Sequence, residues 1–312
     1  MEFETIAEGL QFPEGPIAMD DGSVVLVEIR RQTLTRVGTD GRADVIAHLG
    51  GGPNGAAIGP DGKVYVCNNG GFKWIELSGG YVSAHGTPDD WKGGSIQSVD
   101  LATGNFETLY DSCDGVPLRG PNDIVFDEQG GFWFTDLGKT MGDYRYHGAV
   151  YYAKADGTKI VRAKSPMITP NGIGLSPDGS IVYVAESLTS RIWAFDIESP
   201  GVLKPPQGLL PGRLVATLTD YQLIDSLAVQ ADGRVGVATL FRGGISIVDP
   251  KDGNIEYVDV PDDLFVTNIC FGGKGMWDAY ITCSGRGKLL KARWPHQGLR
   301  LNYNASGRGG SP

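Results

Sequence analysis

The chain has 312 residues, a net charge of −10 at neutral pH and 47 glycines, about twice the usual share. An acidic chain repels the phosphates of nucleic acid, and no stretch approaches the roughly 20 apolar residues that span a bilayer. Because the start also lacks a secretory signal, we expect a cytoplasmic protein with neither a nucleic-acid nor a membrane partner.

One short phrase recurs six times along the chain. In its clearest copies a proline, an acid or amide, and a glycine stand together, at 13–15, 53–55 and 170–172. The acid or amide of the successive copies is Glu14, Asn54, Asn122, Asn171, Asp225 and Asn268. These residues are about 51 positions apart on average. A repeat of this length is typical of a β-propeller blade.

Each copy of the phrase is followed by a pattern of strands. A tight turn, often Asp-Gly, follows the first five copies, because glycine accepts the positive φ of such a turn. The predicted strands that come next are 24–27, 64–67, 132–135, 181–185, 235–239 and 280–283. A second hairpin follows in most repeats, and no segment has a sustained helical period. Four strands in each of six repeats predict an all-β fold, a six-bladed β-propeller with four-stranded antiparallel blades.

The two ends of the chain complete this prediction. Residues 3–7 resemble the strand that precedes each later copy of the phrase, so we expect them to form the outer strand of the last blade and close the ring. The propeller should be a single domain over residues 1–304, with a flexible tail at 305–312. A β-sandwich is the alternative, but it would not repeat one phrase at every fourth strand.

The six repeated acids and amides should meet in one ring, because the first strand of every blade lines the central channel. Carboxylate and amide oxygens without an accompanying lysine or arginine are the ligands of a hard cation. We expect one divalent cation, Ca²⁺ ahead of Mg²⁺, Mn²⁺ and Zn²⁺. Zinc is disfavoured because the ring lacks histidine and cysteine. The cysteines have no metal-binding spacing and are expected to be free thiols: Cys67, Cys113, Cys270 and Cys283.

A structural explanation competes with the metal site at every copy. Asn and Asp commonly occur in turns because their side chains bond to nearby backbone. For one copy this explanation is the better one. For six copies, an acid or amide at one position among varying neighbours favours a shared function. The Asp-Gly turns are different, because their alternation with strands is explained by hairpin geometry alone.

The phrase copies resemble those of the gluconolactonase family, which also contains senescence marker protein (regucalcin) and luciferin-regenerating enzyme. The likeness covers nearly the whole chain and is carried by FPEGP at 12–16, GPNDIVFD at 120–127 and TPNGIGLSPDG at 169–179. Diisopropylfluorophosphatase is a more distant relative with a similar set of metal-binding acids and amides. The resemblance implies a six-bladed propeller with one catalytic divalent cation in its channel.

The resemblance also implies roles for individual residues. It matches Glu14, Asn171 and Asp225 to metal ligands, and Asn122 to a residue that binds metal in some members and substrate in others. Members that act on sugar lactones often carry an arginine two residues before this asparagine. Here that place is Gly120, and Arg119 lies one residue earlier. The substrate-binding residues expected are Asn54, Asn122 and Arg119.

The reaction implied is the opening of a lactone ring by water. A cation would polarise the lactone carbonyl, and Asp225 would take the proton from water as the catalytic base. An equally acceptable version has Asp225 only orient the water, because a carboxylate on a metal is a weak base. Two alternatives remain open: a phosphotriester or organophosphate hydrolase with the same cation site, and a non-enzymatic calcium-binding propeller scaffold. The oligomeric state is left open.

Substrate choice should depend on loops over the channel mouth. The 68 residues between Asn54 and Asn122 exceed the mean spacing by about 17. The surplus lies in the aromatic stretch 72–93, and a second aromatic loop follows at 137–147. Both are interpreted as a lid that adds apolar surface, with packing on a neighbouring blade or subunit as the equal alternative. A catalytic acid at His85 or His147 is disfavoured.

Overall fold

The computed structural model describes residues 1–206, 208–261 and 263–304. Six antiparallel sheets are arranged so that the first strand of each contacts the first strands of both neighbouring sheets. These contacts form a closed ring around a central channel. The predicted fold, an all-β six-bladed propeller, is confirmed.

Each blade has four strands that are paired in order from the channel outwards. Blades 1 to 3 consist of Pro13–Ala18, Val24–Glu28, Thr33–Val37, Ala43–His48; Pro53–Ile58, Val64–Asn68, Ser95–Val99, Phe106–Tyr110; and Pro121–Phe126, Gly131–Asp136, Gly148–Lys154, Ile160–Met167. Blades 4 to 6 consist of Pro170–Leu175, Ile181–Glu186, Arg191–Ser199, Arg213–Thr217; Leu223–Val229, Val235–Leu240, Gly244–Val248, Ile255–Asp259; and Val266–Gly272, Asp278–Cys283, Lys288–Arg293, Phe3–Ala7.

The ring is closed by the start of the chain, as the sequence predicts. Phe3–Ala7 pairs antiparallel with Lys288–Arg293, and Phe3 lies opposite Ala292. The last blade therefore takes its outer strand from the opposite end of the polypeptide. This pairing covers an edge of blade 6 that would otherwise present unpaired backbone groups.

The second strand of each blade is almost completely buried. All five residues of Val24–Glu28 and all six of Gly131–Asp136 are buried, because neighbouring blades pack on both faces of the strand. Such strands read as continuous apolar runs, which is why they stand out in the sequence. The predicted turns that precede them are present, with φ of 84° at Gly22 and 92° at Gly233.

Short elements are added to the blades at the loops. Three small hairpins pair Trp74–Leu77 with Tyr81–Ala84, Ser112–Cys113 with Val116–Pro117, and Lys139–Met141 with Tyr144–Tyr146. Val202–Leu203 pairs with the end of Arg191–Ser199, and three 3₁₀ turns cover Ser78–Gly80, Ser187–Thr189 and Lys274–Met276. No helix in the described ranges has the length and apolar character needed to cross a membrane. Cys67, Cys113 and Cys270 carry free thiols, as expected.

The two ends of the channel differ. We call the end where the first strands begin the upper end, and the other the lower end. At the lower end, Leu299 donates its N–H to the Val229 carbonyl (3.1 Å) and Asn302 bonds the Phe126 carbonyl (3.1 Å). Leu299 and Leu301 line a 60 Å³ cavity together with residues of all six first strands. The last described segment thus closes the lower end, and the tail expected at 305–312 lies outside the described residues.

Candidate metal and substrate site

The repeated acid or amide stands second in the first strand of four blades and third in that of blade 5. In each blade the pairing between the first and second strands shifts by one residue at this point, which marks a bulge. A bulge leaves a residue out of the ladder and redirects a side chain. The residues that share this register position are Glu14, Asn54, Asn122, Asn171 and Asp225.

The sixth blade departs from the expected register by one residue. Val266 lies opposite Cys283 as Pro13 lies opposite Glu28, so Thr267 and not Asn268 is the counterpart of Glu14. Asn268 instead takes the place that Asp123 has in blade 3. The two side chains behave alike, because each accepts the N–H of the following residue, at 2.8 Å for Asn268 and 2.9 Å for Asp123.

Glycine follows the acid or amide in three blades because the first strands approach one another closely. A Cβ at Gly55 would lie 2.5 Å from the carbonyl oxygen of Asn122, and one at Gly172 would lie 2.7 Å from that of Asp225. Neither contact is possible for a real side chain. The glycines of the phrase are therefore required by packing, and they bring neighbouring ring positions close together.

The carboxylates of the ring influence one another's pKa, and no lysine or arginine among the described residues compensates their charge. Glu14 is buried, and burial raises its pKa to about 7 although Asn268 donates to its Oε2 at 2.7 Å. Burial and then the charge of Glu14 raise the pKa of Asp225 well above its ordinary value. Burial and the charge of Glu14 likewise raise the pKa of Asp123 to about 7. The upper end of the channel is therefore a strongly electronegative pocket.

Two amide oxygens in the ring are buried and have no hydrogen-bond partner among the residues that the structure describes. These atoms are Oδ1 of Asn122 and Oδ1 of Asn171, whose Nδ2 donates to the Ser187 hydroxyl at 3.1 Å. A buried polar atom without a partner costs about 1–3 kcal/mol, so it requires an explanation such as a bound ion. Two such oxygens beside Glu14 and Asp225 make the donor set of a hard cation.

The donor set fits calcium or magnesium better than zinc. In the described part of the chain, no three His, Cys, Asp or Glu side chains are placed to hold a metal among themselves. Asp123 therefore does not join Glu14 and Asp225 as a third carboxylate ligand. Two carboxylates with two neutral amide oxygens suit an oxygen-preferring ion and not a nitrogen- or sulfur-preferring one.

Other buried acids at the upper end have a structural role. Asp136, at the end of the second strand of blade 3, accepts the N–H groups of Arg119 and Gly120, both at 2.7 Å. Glu186 accepts from Ile168 at 2.8 Å, and Glu28 accepts from Gln11 at 2.7 Å. These acids occupy equivalent strand ends and hold the loop that leads into the first strand. These hydrogen bonds explain why the acids are buried, and no catalytic role is needed to explain it.

Arg119 lies at the rim of the upper end and is only partly buried. Its guanidinium stacks on the Tyr146 ring, 4.1 Å from the centroid, and it has no ion-pair partner among the described residues. The next residue, Gly120, has no room for a side chain, because a Cβ there would lie 2.6 Å from the Gly138 carbonyl oxygen. Arg119 thus places a cation at the rim on this side of the ring.

The long connection of blade 2, which we call the insertion (69–94), packs on neighbouring blades. Phe12 of blade 1 contacts Trp74 at 5.0 Å between ring centroids, and Val82 donates its N–H to Gly285 of blade 6 at 2.8 Å. On its other side, Thr87 bonds the Thr140 carbonyl of blade 3. The insertion therefore lies along the upper rim from blade 3 past blade 1 to blade 6.

One buried lysine holds the base of the insertion. Lys139 donates from Nζ to the carbonyls of Asn69 (2.9 Å) and Gly71 (2.7 Å), and Nζ lies 4.3 Å from the centroid of the Phe72 ring. Its position was missed from the sequence, because nothing near Lys139 indicates burial. The two histidines considered as catalytic acids, His85 and His147, are both exposed.

Comparison with known proteins identifies the family of the chain. Residues 12–285 match the family model described as the SMP-30/Gluconolactonase/LRE-like region. The chain belongs to this family. Its resemblance to the gluconolactonase family, noted above from the phrase copies, is confirmed.

Individual relatives are distant but cover most of the chain. It is 25% identical over 299 residues to a gluconolactonase from Zymomonas mobilis, which spans 87% of this chain and 76% of that protein. It is 27% identical over 256 residues to lactonase drp35 of Staphylococcus haemolyticus, spanning 81% and 71%. Among solved structures, a gluconolactonase from Xanthomonas campestris has a TM-score of 0.73 at 22% identity, covering 94% of this chain and 89% of that one.

A calcium-binding relative has the same fold. Regucalcin from Agrobacterium tumefaciens, whose structure is described as that of a calcium-binding protein, has a TM-score of 0.69 at 19% identity. The match covers 94% of this chain and 95% of that one. At this identity the comparison establishes the shared fold alone.

Proposed function

We propose that this protein is a divalent-metal-dependent hydrolase that opens the ring of a small-molecule lactone. Its membership of the SMP-30/gluconolactonase/LRE-like family and the names of its lactonase relatives support lactone hydrolysis. The observation that carries the metal dependence is the pair of buried, unpartnered amide oxygens of Asn122 and Asn171, at the register position of Glu14 and Asp225.

These four residues, Glu14, Asn122, Asn171 and Asp225, would hold the cation. When bound, a divalent cation supplies Lewis-acid polarisation of the lactone carbonyl and stabilises the negative charge that develops on its oxygen. Ca²⁺ is the proposed ion, because carboxylate and amide oxygens are the ligands it prefers.

Asp225 is proposed as the catalytic residue. It is the one carboxylate in the ring that is partly exposed, whereas Glu14 is buried. A partly exposed carboxylate can reach a water molecule at the channel mouth, take its proton as the water attacks the carbonyl carbon, and return that proton to the leaving ring oxygen. Glu14 then acts as a ligand only.

Three side chains are proposed to orient the lactone. Asn54 is buried at the ring position between Glu14 and Asn122, where its amide can donate to an ester oxygen. The Nδ2 group of Asn122 can donate in the same way from the next blade. Arg119 offers a guanidinium at the rim that is not engaged in an ion pair with the described residues.

The test is hydrolysis of a lactone panel and of a phosphotriester by purified protein, after thorough chelation and after return of each cation. We expect lactone hydrolysis that is lost on chelation and restored best by Ca²⁺, with less activity for Mg²⁺, Mn²⁺ and Zn²⁺. Hydrolysis that survives chelation contradicts the metal dependence. Faster turnover of the phosphotriester contradicts the lactonase proposal, and calorimetric Ca²⁺ binding without any turnover identifies a scaffold.

A further inference from the structure

Four aromatic rings form a continuous row on the upper rim, which we call the aromatic arc: Tyr221, Phe241, Phe265 and Tyr81. Neighbouring ring centroids are 5.5, 5.8 and 5.9 Å apart in that order. The arc joins loops of blades 4, 5 and 6 to the tip of the insertion. Because it combines residues from four separate loops, it is a feature of the fold and not of one segment.

Two of the four rings of the arc leave much of their apolar surface in water, whereas Phe265 is buried and Tyr81 half-buried. Tyr221 is 79% exposed and Phe241 is 42% exposed, and the neighbouring Leu264 is 46% exposed. Isolated exposed apolar residues are ordinary, but a contiguous row of them indicates a binding surface. Aromatic rings are well suited to this, because they offer large, stiff faces to an apolar ligand.

The arc lies at the same end of the channel as the candidate site. Tyr221 precedes Asp225 by four residues, and Phe265 precedes Thr267, the sixth ring position, by two. Its loops are held by hydrogen bonds. The backbone N–H of Phe241 donates to the Leu264 carbonyl at 2.7 Å, and the backbone N–H of Phe265 donates to the Asp263 carboxylate at 2.8 Å. The arc and Asp225 therefore share the upper rim, and hydrogen bonds fix the loops that carry the arc.

The opposite side of the ring is closely packed where the chain enters the first strand of blade 3. Backbone packing at Gly120 excludes a side chain, since a Cβ would lie 2.6 Å from the Gly138 oxygen. An arginine cannot be accommodated at that position without moving the backbone. The exposed rings therefore lie on the Asp225 side of the rim, and the rim at Gly120 is closely packed.

We propose that the aromatic arc binds an apolar substituent on the lactone ring, so that the substrates are alkyl- or aryl-substituted lactones and not polyhydroxylated sugar lactones. This inference rests on the proposed lactonase function. The lactone carbonyl would lie at the ring of acids and amides, and the substituent would extend over Tyr221 and Phe241 toward Tyr81.

The experiment compares kcat/KM for δ-valerolactone, δ-octalactone, δ-dodecalactone and glucono-δ-lactone with Ca²⁺ present. Removing one methylene fully from water should raise kcat/KM about fourfold, so covering a methylene on a single face should raise it about twofold. The four extra methylenes of δ-dodecalactone over δ-octalactone should therefore raise kcat/KM by about 16-fold. Glucono-δ-lactone should be the poorest substrate of the series.

The variant that tests the arc is Tyr221→Ala combined with Phe241→Ala. We expect the ratio of kcat/KM for δ-dodecalactone to that for δ-octalactone to fall to about 2, mainly through a higher KM. Phe106→Ala is the matched control, because Phe106 is 43% exposed but lies on an outer strand of blade 2, and it should leave the ratio unchanged. Tyr221→Leu, which keeps apolar area, should retain most of the ratio and excludes a folding defect.

The outcomes separate the two proposals. A ratio that is unchanged in the double variant, or glucono-δ-lactone as the best substrate, overturns the arc while leaving lactone hydrolysis in place. Failure to hydrolyse any of the four lactones overturns the proposed function, and the arc's role in it as well.

Discussion

Asp225 is the residue whose substitution tests the proposed chemistry most directly. Asp225→Asn keeps the size of the side chain and removes the base, so kcat should fall by at least about 100-fold. Asp123→Asn is the matched control, because Asp123 is buried nearby and Asn268 shows that an amide can make the same backbone contact. The Asp123→Asn variant should lower kcat by less than about tenfold. Steady-state kinetics with circular dichroism check both, and near-normal turnover of Asp225→Asn contradicts its role.

Gly120 provides a second prediction at the scale of a residue. Because a Cβ there would lie 2.6 Å from the Gly138 oxygen, Gly120→Ala must move backbone at the upper rim. Overpacking of this kind costs about 1–3 kcal/mol in the free energy of unfolding. Thermal unfolding of this variant is compared with Gly236→Ala, where the nearest atom to the added Cβ is at 3.6 Å. Equal midpoints for the two variants would show that the rim is looser than described.

The sequence predicted most of the ring but not its sixth member. The prolines and glycines of the phrase are visible in sequence because packing requires them, so the positions of Glu14, Asn122 and Asn171 could be inferred. In blade 6 the phrase is degenerate, and only strand pairing shows that Thr267 takes the ring position. Asp123 could have been noticed, because it replaces the glycine that follows the amide in other copies. The roles of all these residues stay predictions until they are tested.

At the scale of elements, the insertion was located from spacing, but its contacts were not predictable. Spacing shows where extra residues enter, whereas docking depends on partners far away in sequence, such as Phe12 and Gly285. The sequence left open whether this segment packs on a neighbouring blade, and the structure shows that it does. The segment that closes the lower end was missed for the same reason, because its partners Val229 and Phe126 belong to other blades.

Lys139 makes the attachment of the insertion dependent on pH. Burial lowers the pKa of Lys139 to about 7, with Arg145 acting in the same direction and Asp136 opposing it. Between pH 7 and the ordinary value of 10.5, the unfolded chain therefore holds a proton that the folded protein has released. The unfolded state binds more protons there, so this residue's contribution makes the free energy of unfolding rise with pH. Below pH 7 both states are protonated and the full cost of burying the charge is present.

The measurement is urea unfolding of wild type and Lys139→Met at several pH values. The difference in unfolding free energy, wild type minus variant, should increase from pH 7 toward pH 10, because methionine does not titrate. Subtracting the variant cancels the tyrosines and cysteines that titrate in the same range. Lys92→Met, an exposed lysine on the insertion, is the control and should give a constant difference. If the unfolding free energies of wild type and Lys139→Met changed in parallel with pH, the lowered pKa of Lys139 would be contradicted.

At the scale of the whole molecule, a cation in the ring would link all the blades that supply its ligands. A ligand bound only by the folded state adds about 2.7 kcal/mol to the free energy of unfolding at 100 times its dissociation constant. Ca²⁺ should therefore raise the unfolding midpoint of the chelated protein. In Glu14→Gln this rise should shrink, whereas its midpoint in chelator should not fall, because the substitution removes a charge that repels Asp225. Calorimetric titration and thermal unfolding with Ca²⁺ measure both, and an equal rise in the two proteins excludes Glu14 as a ligand.

The closure of the propeller gives the last prediction, because one short strand joins the two ends of the ring. Deleting residues 2–8 removes Phe3–Ala7 and leaves Lys288–Arg293 as an open edge whose backbone groups are unpaired. The truncated protein should unfold at a lower temperature and associate as its concentration rises. A synthetic peptide of residues 1–9 should reverse both effects by adding the strand back to the open edge, and a scrambled peptide should not. An unchanged midpoint and a monomeric truncated protein would mean that the other contacts between blades hold the ring shut by themselves.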